Sequence, residues 1–188
     1  MKFFAAENGS TMNEAIIKLR DSYLLGGGYT WNPQTGGDGV TMNLEYKGKK
    51  IASKDKDTYC CGLNFELWFR VIGSTVDLPL TEMQKVRALW YCARANRGGC
   101  MDALTSVRLG LRIPTINEAR DGDFCQFWRK SGSGHSVNLK SFDLAAGTFT
   151  YWSTQPKTDG IGYRTERLEN MSDLFFVRAL NQSVDFHE

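Results

Sequence analysis

The stretch HSVNLKSFDLAAGTFTYWSTQ, residues 135–155, decides the fold. Apolar and polar residues alternate on both sides of a turn-forming segment, Asp143–Gly147. That pattern marks two antiparallel strands, predicted over His135 to Phe142 and Thr148 to Trp152, joined by a short loop. Working outward, the same two-residue period recurs at Phe124 to Trp128, Gly162 to Thr165 and Leu174 to Leu180. Turns are expected between them at Ser131–Gly134 and Lys157–Gly160.

Upstream, the period changes to that of helices. Asn13 to Leu25 places Ala15, Ile16, Leu19, Tyr23 and Leu24 on one stripe, and the glycines at 26, 27 and 28 are expected to end it. Pro33 to Gly39 reads as loop, and Val40 to Ile51 as a hairpin turning at KGKK. Gly62 to Ile72 is apolar on nearly all sides, which predicts a central, buried helix. Thr81 to Ala95 is a third helix with Thr81 as its N-cap, and Met101 to Leu109 a fourth, ended by Gly110. Helices first and an antiparallel sheet afterwards specify an α+β fold with the helices packed on one side of the sheet.

The chain has 188 residues, which suits one domain spanning 1–188 with a core of its own. Its net charge of +2 lacks the basic excess of a nucleic-acid binder, so no nucleic-acid partner is expected. No run approaches the roughly 18 apolar residues of a membrane helix, and Phe3 to Ala6 is too short for the apolar region of a secretory signal. The expectation is a monomer made in the cytoplasm without a signal peptide, with no membrane insertion. Five cysteines, two of them adjacent, argue for reduced thiols. There is no C-x-x-C pair and only two histidines, so neither a metal site nor a cofactor is expected. The cations Arg108, Arg112, Arg120, Arg129 and Lys130 offer a basic patch for an anionic polymer, against the commoner reading of solvated surface.

The chemistry-bearing residues are few. His187 is penultimate and reads as a frayed end, which leaves His135, opening a strand after SGSG, as the candidate acid–base group. TYCCGLNFELW sets Cys60 and Cys61 at the start of the buried helix, where the partial positive charge of a helix N-terminus favours a thiolate. Helical phase does not choose between them. Cys92, Cys100 and Cys125 read as inert core thiols. A hairpin centred on Ala145 sets His135 opposite Gln155, whose amide oxygen can accept the imidazole N–H and fix the tautomer. Ser153 lies two residues away on the same face, and a one-residue slip nominates Thr154.

Four short elements then resemble the NlpC-like cysteine peptidases, relatives of the CHAP amidases in the papain-like clan. GGGYTW at 26–31 is similar to P-Y-x-W-G-G, and YCCGL at 59–63 to D-C-S-G-[FL]. ARDGDFCQFW at 119–128 resembles the Gly–Asp strand, and SGHSVNL at 133–139 resembles G-H-V-G-I-Y. They fall in the family's order over about two-thirds of the chain. The resemblance implies a papain-like NlpC-type fold, with Cys60 as nucleophile, Cys61 in the following Ser place, His135 as base and Gln155 as the third polar member. It also implies that Tyr29 stands beside the oxyanion site, with Trp31 and Cys61 on the substrate side. Three departures stand out: Tyr59 replaces the Asp before the nucleophile, the 40–51 hairpin lengthens the Tyr29–Cys60 spacing, and residues 74–118 read as a helical insertion.

The function so implied is amide hydrolysis in peptidoglycan stem peptides, as an amidase or endopeptidase, by a phage lysin or an injected antibacterial toxin. Such a toxin would be delivered to the periplasm or cell wall by a route other than a signal peptide. Its partners would be peptidoglycan, a cognate immunity protein and a secretion-machine component. Two rivals are the same triad acting on a non-cell-wall protein or lipid amide, including transacylation, and a catalytically inactive binding module.

Overall fold

In the computed structural model, residues 12–31, 37–92 and 96–181 are described. His187 and residues 33–36 of the expected loop lie outside them, as do residues 93–95. The elements run in the order α1 (Met12–Arg20), β1 (Gly26–Gly27), β2 (Leu44–Tyr46), β3 (Lys49–Ala52), α2 (Cys60–Trp68), α3 (Leu80–Trp90) and α4 (Cys100–Thr105). There follow β4 (Gly110–Ile113), β5 (Phe124–Arg129), β6 (Gly134–Asp143), β7 (Thr148–Gln155), β8 (Gly160–Arg167) and β9 (Met171–Ala179). Strands β5 to β9 are the five that the alternation predicts, lengthened by one to three residues at one end or both, while β9 stops at Ala179 rather than Leu180.

Seven strands form one antiparallel sheet in the order β1-β8-β7-β6-β5-β9-β4, and β2 and β3 make a separate hairpin. The fold is α+β. The helices cover one sheet face, where Ile16, Leu19, Phe65, Trp68, Trp90 and Leu104 pack with Phe124, Trp152 and Val177 from the strands. The other face keeps an apolar cluster drawn from the strands themselves, including Cys125, Phe127, Val137, Phe149, Tyr151 and Phe176. His135 belongs to this second face: its ring centroid lies 5.5 Å from that of Phe127 and 5.6 Å from that of Tyr151.

Several boundaries differ from the sequence reading, each for a local reason. Helix α1 stops at Arg20, before the glycines, because the Ser22 hydroxyl bonds the Leu19 carbonyl at 2.6 Å and closes the last turn. Leu24 is then left 89% exposed, and Gly26–Gly27 pair with Gly160 and Ile161 as an edge of the sheet. Helix α2 runs on through a π-helical turn, Phe69–Gly73. Helix α3 starts at Leu80 with Pro79, not Thr81, in the cap position. Helix α4 ends at Thr105, and the segment turns through Arg108, whose φ of 58° is left-handed. Gly110 therefore opens a strand that pairs with β9, so the insertion at 74–118 is helical only in part.

Candidate active site

Cys60 is the first residue of α2, entered from Tyr59 in an extended conformation, φ −140°. Leading into it, Tyr29 bridges Thr58 in parallel, and the Thr58 hydroxyl meets that of Thr154 at 2.7 Å. The GGGYTW segment and the helix start are thereby held side by side. Gly62 has a steric reason to be glycine, since a Cβ there would collide with the backbone of Asp38 and Gly39. One buried side chain clamps α2 to the sheet. The two N–H groups of Asn64 Nδ2 are shared among the Cys60 carbonyl (3.0 Å), the Ser136 carbonyl (2.9 Å) and the Ser153 hydroxyl (3.2 Å). Helix and β6 are tied at the level where Cys60 and His135 face each other.

The β6–β7 register explains the third residue. Beside the turn, Asp143 pairs with Thr148 and Phe142 with Phe149, a hairpin centred between residues 145 and 146. A bulge at Lys140 absorbs one residue, so Leu139 pairs with Tyr151 and Asn138 with Trp152. Projected three residues further, this sets His135 across from Gln155. An unbulged ladder would have set it across from Pro156. His135 Nε2 lies 3.2 Å from Gln155 Oε1, and both side chains are buried. An amide oxygen only accepts, so Nε2 carries the hydrogen and Nδ1 is the ring nitrogen left for Cys60.

The two residues held in reserve are occupied elsewhere. Ser153 Oγ donates to the Ser136 carbonyl at 2.8 Å, and Thr154 meets Thr58. Behind Gln155, the Tyr151 hydroxyl lies 3.2 Å from Oε1 and donates to Glu166 at 2.6 Å. Glu166 also takes a forked pair from Arg129, at 2.9 and 2.6 Å. Burial works against that carboxylate, but the Arg129 and Tyr151 hydrogen bonds hold it down at about 2. Arg129 is thus an ion-pair member, not the solvated cation expected from the sequence.

The electrostatics distinguish the two adjacent thiols. Cys60 is held well below an ordinary thiol, first by a hydrogen bond from the Cys61 S–H (Sγ to Sγ 3.9 Å). Burial opposes this, while the charge and hydrogen bond of His135 and the Ser136 N–H assist it. Cys61 is pushed well up, as donor to Cys60 and neighbour of Cys92. The thiolate therefore resides on Cys60. Tyr29 is raised to about 12 by burial and by the two thiols, so it stays a neutral O–H donor.

All six residues singled out in the sequence, Tyr29, Trp31, Cys60, Cys61, His135 and Gln155, line one cleft of 620 Å³. Its other walls are Tyr91, Cys92, Gln126, Trp128, Arg129, Arg164, Pro156 and the 132–134 loop. Cys92 corrects an expectation: it follows α3 with φ 54° and borders the cleft, so it is not a core thiol. Asn64, Tyr151, Glu166 and Arg164 were not found by sequence reasoning. Their only sequence signal is polarity inside apolar runs, such as Asn64 and Glu66 within GLNFELW.

No family model matches this chain, and no curated protein matches it. One solved structure, the P60 domain of an antigen from M. avium subspecies paratuberculosis, is similar to it at 20% identity and a TM-score of 0.47. The match covers 90% of this chain and 94% of that one.

Proposed function

We propose that this protein is a cysteine hydrolase that cleaves an amide bond in the peptide stems of peptidoglycan. The observation that carries the chemistry is Cys60 at a helix start, depressed below an ordinary thiol, facing a His135 ring oriented by Gln155 in an open cleft. The substrate class rests on the likeness of GGGYTW, YCCGL and SGHSVNL to the NlpC-like peptidases.

His135 Nδ1 takes the thiol proton, and Cys60 Sγ attacks the amide carbonyl carbon. The first N–H groups of α2 have no acceptor within the helix and face the developing oxyanion, with the neutral Tyr29 O–H beside them. The imidazolium, steadied at Nε2 by Gln155 Oε1, passes its proton to the leaving amine. Water, deprotonated by the same ring, then releases the acyl group from sulfur.

Incubation with purified peptidoglycan, followed by mass analysis of soluble fragments, tests this reading. Release of stem-peptide fragments by the native chain and none by Cys60→Ala is the expected result. Intact peptidoglycan together with turnover of a protein or lipid amide would move the same triad to another substrate. No turnover of any amide would leave a binding module.

A further inference from the structure

Outside the Cys60–His135 pair, the charged side chains lining the cleft are all of one sign. Among the described residues that line it, Arg129 and Arg164 are cationic and none is Asp or Glu. Behind them, Oε1 of Glu166 already accepts two donors before Arg164 reaches it. Oε1 and Oε2 already receive Arg129 at 2.6 and 2.9 Å, and Tyr151 donates to Oε1 at 2.6 Å. Arg164 Nη1 approaches the same Oε1 only at 3.4 Å, and its side chain keeps 26% of its surface open. One carboxylate between two guanidiniums leaves one positive charge facing the cleft. The sheet fixes its place: Arg164 pairs with Tyr151 across β7–β8, and Tyr151 touches Gln155, so Arg164 stands on the Gln155 side of the nucleophile.

We propose that Arg164 is the specificity-determining residue of this cleft, and that it selects an acyl donor carrying a free carboxylate close to the scissile amide. A guanidinium presents a planar fork that fits a carboxylate in two parallel hydrogen bonds. A substrate carboxylate would supply the partner that Glu166, already committed to Arg129 and Tyr151, supplies poorly. A substrate with an amine at that position would meet a like charge and no carboxylate to offset it. The inference rests on Cys60 being the reactive thiol of the proposed hydrolase, but not on the identity of the amide cut.

The probe pair is iodoacetate and iodoacetamide, which alkylate the same sulfur and differ by a carboxylate against a carboxamide. The ratio of their rate constants at Cys60, divided by the ratio for free N-acetylcysteine, is read by mass spectrometry on the full chain. His135 attracts anions as well, so the decisive comparison is between variants. Arg164→Gln should lower the normalised ratio by about two- to five-fold, the range for a partly exposed charge pair. Arg164→Lys, which keeps the charge, should retain most of it. Raising salt from about 0.01 M to 1 M should lower the ratio in the native chain more than in Arg164→Gln. An equal ratio in native, Gln and Lys forms, or an equal salt response in native and Gln forms, overturns the proposal. If Arg164→Gln fails to fold, Arg164→Lys and the salt series on the native chain decide it: a salt-independent native ratio sinks it. The failure of the hydrolase reading looks different, as an unreactive Cys60 towards both reagents.

Discussion

Cys60 at the start of α2 and Cys125 in the middle of β5 are both buried thiols, and their surroundings drive them in opposite directions. Cys125 packs among Phe127, Val137 and Phe176, where burial outweighs a backbone hydrogen bond from Phe175 and pushes its thiol up. Cys100, first in α4 but deep in the helix-side core, is also raised by burial. Cys60 has the same desolvation, and it is outweighed by the Cys61 S–H, the His135 ring and the Ser136 N–H. A helix start is not the distinguishing feature, because Cys100 has one too. The difference lies in the donors around it: first the adjacent Cys61 S–H, then the His135 ring and Ser136 N–H, brought from elsewhere in the chain by strand β6, which Asn64 ties to the helix.

Deleting each sulfur is the strongest way to break that contrast. Cys60→Ala should lower amide hydrolysis by roughly 10⁴-fold or more with the fold intact. Cys125→Ala should leave hydrolysis alone and lower stability by about 1–2 kcal/mol. Urea unfolding beside a turnover assay separates the two effects, and matched losses in both variants would erase the contrast.

Alkylation sharpens it without mutation. In the folded chain near neutral pH, Cys60 should react with iodoacetamide roughly a hundredfold faster than Cys100 or Cys125, and all five thiols should converge in denaturant. The sign with pH follows from the depressed Cys60 thiol. Its thiolate persists as pH falls below the range of an ordinary thiol and is lost only as pH passes through its own lowered value. An acid limb at the position of a free cysteine would remove the argument for an activated sulfur.

Gln155→Ala takes away one neutral hydrogen bond to the ring, about 1 kcal/mol, and should slow turnover by roughly ten-fold. Ser153→Ala is the matched control. Its hydroxyl serves the Asn64 clamp, so the expected effect falls on the melting temperature rather than on the pH–rate profile. A damaging Ser153→Ala beside a silent Gln155→Ala would reverse their assigned roles.

The smallest effect belongs to Cys61. Cys61→Ser keeps a donor beside Cys60 and should hold turnover within about two-fold. Cys61→Ala removes the donor and should move the acid limb of Cys60 alkylation upward. An unmoved limb in Cys61→Ala would shift the credit for the low Cys60 value to His135 and the Ser136 N–H.

Much of this architecture is local and is therefore written in the chain. Alternation at 124–180 gives the strands, because a half-buried strand needs one apolar residue in two. The hairpin at 40–51 is legible because Lys47 and Gly48 both take left-handed φ, which suits a two-residue turn. Cys60, His135 and Gln155 are legible as the proposed nucleophile, base and ring-orienting amide because each of those roles needs a particular functional group, and the chain has few to choose from.

Long-range partners settle the rest. The Gln155 pairing depends on a bulge at Lys140 that no alternation pattern shows, since an extra residue is accommodated by the ladder and not by the sequence beside it. The short length of α1 depends on Ser22 closing its last turn. Asn64 and Glu66 interrupt an apolar helix at no visible gain until Ser136, 72 residues on from Asn64, and Thr41 and Tyr23 supply their partners. The charge of the cleft depends on Glu166 choosing Arg129 over Arg164. Residue types and their spacing limit what each segment can be. Which buried polar group meets which partner is decided only when strands distant in sequence are brought within hydrogen-bonding distance, because an unpaired buried group costs more than any local preference gains.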